Sequence, residues 1–160
     1  MKERDVLHRV KIELAKPEAI AALGIGTRSG RWVKIPDSWA TTGDGKRFIP
    51  FKGADLVWAT DCCEVKVVKA KTERGMVFHV EQLNERQQRH LVEQDGLVAV
   101  GFVEKGTGGE HDSMVSIAIF RFVRLVALIP ADPNTSTSFS RSGLEKFSYV
   151  IKGRGYHEAV

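Results

Sequence analysis

The stretch GADLVWATDCCEVKVV, Gly53–Val68, decides the fold that we predict for this chain. It divides into two short strands, Ala54–Thr60 and Cys62–Val68, which meet at a tight connection near Asp61. We therefore expect the two strands to run side by side.

The second strand carries charged residues in an apolar neighbourhood. Because side chains alternate between the two faces of a strand, Glu64 and Lys66 project on one side, opposite to the apolar side chains. A carboxylate and an ammonium rarely enter such a place without a partner. Asp55 opens the first strand, so two carboxylates converge beside a lysine. This pattern predicts a divalent-metal site for phosphodiester hydrolysis.

Each of these residues receives a role as a hypothesis. Asp55 and Glu64 bind Mg²⁺, and the backbone carbonyl of Val65 is a further candidate ligand. Lys66 orients or helps to deprotonate the attacking water and offsets phosphate charge. Gln87, in the first turns of the following helix, touches the water, Lys66 or the phosphate.

The same residues have simpler interpretations, because a D…ExK pattern is loose and arises often by chance. Glu64 and Lys66 can be partners on a solvated face. Asp55 can cap a turn, and Gln87 can be an exposed helix residue.

The sequence before the hairpin predicts helices and then an irregular segment. Residues 3–15 have the apolar spacing of an amphipathic helix that ends at Pro17, and residues 18–23 add a short second turn. We then expect one strand, Arg31–Ile35, followed by a loop.

The sequence after the hairpin predicts a helix and a buried strand. The helix covers Leu83–Gln94, and Asn84 and Gln87 have the spacing of a capping box. Leu97–Val103 is nearly all apolar, which is typical of a central strand covered on both faces. Met114–Phe122 and Arg124–Ile129 are expected to supply one or two more strands.

Length and composition indicate one globular domain. The 160 residues are 42% hydrophobic and 28% charged. We place a domain at residues 1–130 and an appendage at 131–160, partly flexible, which is either a DNA or dimer contact or a disordered end. The net charge of +4 permits a polyanionic partner but does not require one.

No apolar run approaches the roughly 20 residues of a membrane span, and the N-terminal stretch lacks the apolar core of a signal peptide. Cys62 and Cys63 are adjacent, a poor disulfide pair and too few ligands for structural zinc. We therefore expect a reducing, cytoplasmic location.

Asp55, the tripeptide Glu64–Lys66 and the glutamine-bearing helix together resemble the PD-(D/E)XK nuclease superfamily. The motifs KIPDS at 34–38 and LNERQQRHL at 83–91 extend the likeness. Their order is similar to the RecU-type Holliday junction resolvases, also described as penicillin-binding-protein-related factor A. The resemblance covers about residues 31–129.

The resemblance implies an α/β fold, a mixed central sheet flanked by helices with a restriction-endonuclease-like core. It also implies an endonuclease that uses Mg²⁺, for which Mn²⁺ can substitute, and that acts on branched DNA as a homodimer in recombination or repair. Phage and mobile-element nucleases share this core.

The resemblance also assigns the site residues. Asp55, Glu64 and Lys66 match the motif, and Gln87 matches the helix glutamine with Gln88 as its rival. Members often carry a glutamate on the first helix. The candidates here are Glu13 and, behind it, Glu3 and Glu18.

The chain departs from the family at two places. Ala54 stands where the name-giving proline would be. The segment Thr41–Lys46 is too short to form the stalk that RecU-type enzymes insert into a junction.

Basic residues before and after the acidic strands predict a path for a polyanion over the metal. They are Arg28, Arg31, Lys34, Lys46, Arg47, Lys69, Lys71 and Arg74.

The alternative function is a non-catalytic DNA-binding module with the same fold, whose affinity falls steeply with salt but which cuts nothing. A small-molecule enzyme that uses His79, His90 or His111 is disfavoured, since these histidines lie on three different elements and lack ligand-like spacing.

Overall fold

The fold is known from a computed structural model. It describes residues 2–25, 33–34, 39–42, 45–48, 56–58, 61–129 and 137–153. None of the helices in these ranges is long and apolar enough to cross a membrane.

The helices and strands alternate along the chain. The helices are α1 (Glu3–Glu13), α2 (Pro17–Leu23), α3 (Glu85–Glu93), α4 (Phe122–Val126) and α5 (Arg141–Glu145). The strands are β1 (Val33–Lys34), β2 (Trp39–Thr42), β3 (Gly45–Phe48), β4 (Leu56–Trp58), β5 (Asp61–Ala70), β6 (Val77–His79), β7 (Leu97–Glu104), β8 (Ser113–Arg121), β9 (Ser138–Ser140) and β10 (Tyr149–Lys152).

Six of these strands form one mixed sheet in the order β1-β4-β5-β7-β8-β10. The β5–β7 pair is parallel, and the other neighbouring pairs are antiparallel. The predicted hairpin is present, because Leu56 pairs with Cys63 and Trp58 pairs with Asp61. The predicted mixed central sheet flanked by helices is confirmed.

Helices cover both faces of the sheet, and the side chains of β5 point alternately to one face and to the other. On one face, Val10 of α1 packs in a cluster with Cys63 and Val65. On the other face, Leu91 of α3 packs in a second cluster that includes Val68. The even-numbered side chains of β5 therefore point towards α3, and the odd-numbered ones towards α1. β7 is buried along nearly its whole length, as predicted for a central strand.

Two predicted elements were wrong in kind. The segment expected to be a loop after β1 contains the β2–β3 hairpin, which forms a separate two-stranded sheet. Two residues separate the paired Thr42 and Gly45, and this glycine-containing connection is a hairpin signal. The expected strand at Arg124–Ile129 overlaps α4 instead. Phe122 and Leu125 are buried at helical spacing, and short apolar runs fit a helix or a strand equally well.

The C-terminal segment, expected as an appendage, contributes to the sheets. β10 pairs with β8 at the edge of the central sheet, and β9 pairs with β6. Leu144 of α5 is fully buried in the same cluster as Leu91. Residues 137–153 therefore help to cover the face of the sheet that α3 also covers.

Arg121 at the end of β8 ties four segments together. Its guanidinium donates to the carbonyl oxygens of Leu23 and Gly24, where α2 ends, at 2.9 and 3.2 Å. It also donates to the carbonyl oxygen of Asp95, at 2.7 Å, and to Oδ1 of Asp61, at 3.1 Å. The start of β5 is thus held against α2 and the α3–β7 connection.

Candidate functional site

The N-terminus of α3 aims a glutamine at β5. Asn84 caps the helix, since its Oδ1 accepts from the backbone N–H of Gln87 at 2.8 Å. In return, Oε1 of Gln87 accepts from the backbone N–H of Asn84 at 3.0 Å. This is the predicted capping box, and it fixes the orientation of the Gln87 amide.

The other end of the same amide meets Glu64. Nε2 of Gln87 donates to Oε1 of Glu64 at 2.8 Å. The neighbouring glutamine, Gln88, instead donates to the carbonyl oxygen of Leu83 at 2.8 Å. The fold therefore brings Gln87, rather than Gln88, to the acidic strand.

Glu64 is a buried carboxylate with a cation beside it. Only 3% of the residue is exposed. Nζ of Lys66 lies 3.8 Å from the same Oε1, and the Lys66 side chain is 21% exposed. Both side chains lie on the face of β5 that α3 covers, as the alternation predicted. The ammonium and the amide offset the cost of burying the carboxylate.

The second predicted carboxylate, Asp55, lies outside the described residues. It directly precedes Leu56, which is fully buried and pairs with Cys63. Val65, whose carbonyl we expect as a ligand, is fully buried and pairs with Ala99 of β7.

The candidate glutamate of the first helix lies on the other face of the sheet. Glu13 is 6% exposed, and its Oε1 accepts from Nε of Arg9 at 3.1 Å and from Nζ of Lys16 at 2.9 Å. Glu3 and Glu18 are exposed. The structure thus places Glu13 in an ion-pair cluster of α1 and the α1–α2 connection, away from α3.

The donor chemistry at Glu64 fits a hard divalent cation. Mg²⁺ is usually bound through one or two carboxylates and keeps several waters, so it does not require a full cage of protein ligands. In the part of the chain that the structure describes, no group of three or more His, Cys, Asp or Glu side chains is arranged to hold a metal ion. The Glu64 carboxylate is thus one described side chain with the ligand chemistry that such a cation uses.

The predicted basic residues occupy different surroundings. Lys69 pairs with Oδ2 of Asp112 at 3.5 Å, on the face of β5 opposite to Glu64. The pKa of Asp112 is lowered to about 2, and the largest cause is the hydrogen bond from the backbone N–H of Gly106, with a smaller contribution from Lys69. Lys71 and Arg74 are exposed beyond β5.

The remaining basic residues belong to less completely described segments. Lys34 lies in β1, and Lys46 and Arg47 lie in β3. Arg28 and Arg31 lie outside the described residues.

Sequence reasoning missed two features of the site's surroundings. Arg121 was not among the predicted site residues, although it follows the apolar run Ile117–Phe120 within β8, where a charged side chain needs a partner. Arg86 and Arg89 were also not predicted, because the basic residues were sought in the segments directly before and after the acidic strands.

Comparisons of this chain with protein-family models, with curated proteins and with solved structures found no match.

The thiol of Cys62, on the same strand, is buried and lies near two carboxylates. Burial, followed by the negative charges of Asp61 and Glu64, raises the pKa of its thiol from 9.0 to about 11. We predict that native protein at pH 8 resists iodoacetamide, whereas urea-unfolded protein reacts at both buried cysteines, Cys62 and Cys63. Mass spectrometry of the alkylated chain measures this.

The raised pKa also has a consequence for stability. Below pH 9 the thiol is protonated in both states, so its contribution to stability is fully present. Between about pH 9 and 11 the unfolded chain loses this proton first, and the free energy of unfolding should fall. Equal alkylation rates with and without urea would contradict this description of the strand.

Proposed function

We propose that this protein is a metal-dependent endodeoxyribonuclease of the PD-(D/E)XK type. The observation that carries the proposal is the buried carboxylate of Glu64, held by Lys66 of its own strand and by Gln87 of α3. Glu64 and Gln87 are 23 positions apart in the chain. Nζ of Lys66 and Nε2 of Gln87 both lie beside the same atom, Oε1 of Glu64. A carboxylate is a ligand that Mg²⁺ prefers, and an amine beside it can offset phosphate charge, so this group suits phosphodiester hydrolysis with a divalent cation.

Each described residue has a task in this proposal. Glu64 supplies a carboxylate oxygen to Mg²⁺, or to Mn²⁺ in its place. When bound, the cation lowers the pKa of a coordinated water and offsets charge on the phosphate. Lys66 places a positive charge where the phosphate and the attacking water approach. Gln87 holds the Glu64 carboxylate in one orientation, and such partners of ligands are typically worth 10–100-fold in affinity or activity.

The proposal requires a second carboxylate, which is Asp55, outside the described residues. Asp55 must stand opposite Glu64, so that both carboxylates reach one cation. The register supports this requirement, because Leu56 pairs with Cys63, one residue before Glu64. In antiparallel pairs, directly opposite residues lie about 4.5–5.5 Å apart.

The finer parts of the proposal come from the family resemblance. They are action on branched DNA as a Holliday junction resolvase or another structure-selective nuclease, a homodimeric state, a role in recombination or repair, and a cytoplasmic location. The sequence pI of about 9.2 is compatible with a polyanionic substrate.

The decisive experiment is a cleavage assay on labelled DNA. Junction, flap, nicked duplex and plain duplex substrates are incubated with the protein in Mg²⁺ or in EDTA. We expect cleavage that requires the metal and that Lys66→Met lowers by about 100-fold or more, the scale of losing one group that stabilises charge in the transition state.

A matched control lies on β10, at the edge of the central sheet. Lys152→Met removes the same charge from an exposed lysine whose strand position pairs with Ser116 of β8. We expect it to retain cleavage. If the parent protein binds DNA but never cuts it in Mg²⁺ or Mn²⁺, the non-catalytic DNA-binding module replaces the nuclease.

A further inference from the structure

The outward face of α3 carries a basic surface next to the Glu64 site. Gln87, Gln88 and Leu91 turn towards the protein, where they contact Glu64, the Leu83 carbonyl and the core. Four other side chains of the helix lie on its opposite, outward side. They are Arg86, Arg89, His90 and Glu93, and they line a depression of about 250 Å³.

The two arginines are available for a ligand. Both are exposed, and in the described part of the chain neither forms an ion pair. At positions i and i+3, they lie on the same side of the helix with a rise of about 4.5 Å. Their Cβ atoms are about 5–6 Å apart, and the long arginine side chains allow the two guanidiniums to contact neighbouring phosphates of one strand.

The position of this surface is fixed by the site itself. Arg86 directly precedes Gln87, and adjacent Cα atoms are about 3.8 Å apart. Because Gln87 is bonded both to Asn84 and to Glu64, α3 cannot rotate without breaking these contacts. Successive side chains of a helix point about 100° apart, so Arg86 flanks Gln87 on the first turn of α3, and a nucleic-acid strand that reaches Glu64 across this turn passes Arg86.

We propose that Arg86 and Arg89, on the outward face of α3, bind the sugar-phosphate backbone of the nucleic-acid strand that lies at the Glu64 site. This inference rests on the proposed function and adds to the predicted DNA path a helix that the sequence did not indicate. Arginine forms bidentate contacts with phosphate, which suits a backbone contact without base readout. Glu93 at the far end of the surface is the one described lining residue that opposes a polyanion, and it marks the limit of the contact.

The test compares two double variants with the same net charge. Arg86→Ala/Arg89→Ala removes the proposed contacts. Lys105→Ala/Lys146→Ala removes two exposed lysines on other elements. Binding of fluorescently labelled junction and duplex DNA is measured by anisotropy in EDTA, across a series of salt concentrations, and circular dichroism checks that each variant is folded.

We expect the arginine double variant to raise Kd at least tenfold and to reduce the slope of log K against log salt by about 1.8, since each phosphate contact contributes about 0.9. The lysine double variant should change Kd less than threefold. Equal weakening by both variants, or no weakening by the first, overturns the proposal. If the parent protein never cuts DNA but its DNA binding depends on the two arginines, the nuclease proposal is refuted and the proposed DNA-binding surface is supported.

Discussion

Replacing Glu64 by glutamine should abolish metal-dependent DNA cleavage while the protein stays folded. Loss of a residue that only supports a metal ligand typically costs 10–100-fold, so loss of the proposed ligand itself should cost more than about 100-fold. The amide keeps the size of the side chain and can still accept the hydrogen bond from Gln87. The measurement is the rate of cleavage at saturating DNA in Mg²⁺, together with a calorimetric titration of Mn²⁺ into the protein without DNA.

A matched control is Glu104→Gln on the neighbouring strand β7. Glu104 pairs with Ala70, six residues beyond Glu64 along β5, or about 20 Å. It should retain both cleavage and metal affinity. If Glu64→Gln cuts DNA as well as the parent and binds Mn²⁺ equally, then Glu64 is a buried carboxylate stabilised by its neighbours, and the metal-binding site lies elsewhere.

Replacing Arg121 by alanine should destabilise the protein by about 3 kcal/mol, which is typical for removing one partner of a largely buried ion pair. Arg121 and Asp61 are 16% and 13% exposed, respectively. The substitution leaves the Asp61 carboxylate without this cation and removes donors from the carbonyl oxygens of Leu23 and Asp95. Urea unfolding followed by circular dichroism measures the change.

The control for this prediction is Arg124→Ala, one turn further along the chain. Arg124 is exposed, and its guanidinium lies 6.0 Å from the ring centroid of Phe147. Such a cation–π contact at an exposed position is worth at most about 1 kcal/mol. A larger loss for Arg124→Ala than for Arg121→Ala would show that Arg121 does not hold these segments together.

The local patterns of the sequence predicted local structure well. The alternation along β5 put Glu64 and Lys66 on one face, and the structure agrees. The spacing of Asn84 and Gln87 predicted the capping box that forms. These features depend on residues within a few positions of one another, so the periods of a strand and a helix are sufficient to place them.

Predictions that depended on distant partners were less successful. The apolar residues Phe122 and Leu125 were assigned to a strand, although they lie in α4, because the sequence does not show which core they join. The tail was treated as an appendage, yet β10 lies at the edge of the central sheet. Its burial pattern is weak because an edge strand is only partly covered.

The sequence by itself determined a mixed α/β domain, a charged face on a central strand and a capped helix that carries two glutamines. Only the tertiary structure decided that Gln87 is the glutamine that meets Glu64, that Lys69 pairs with Asp112, and that Glu13 lies across the sheet. The physical reason is that strand register and helix docking are set by many weak contacts between remote segments. A local pattern fixes which face a side chain occupies, but not which side chain it meets there.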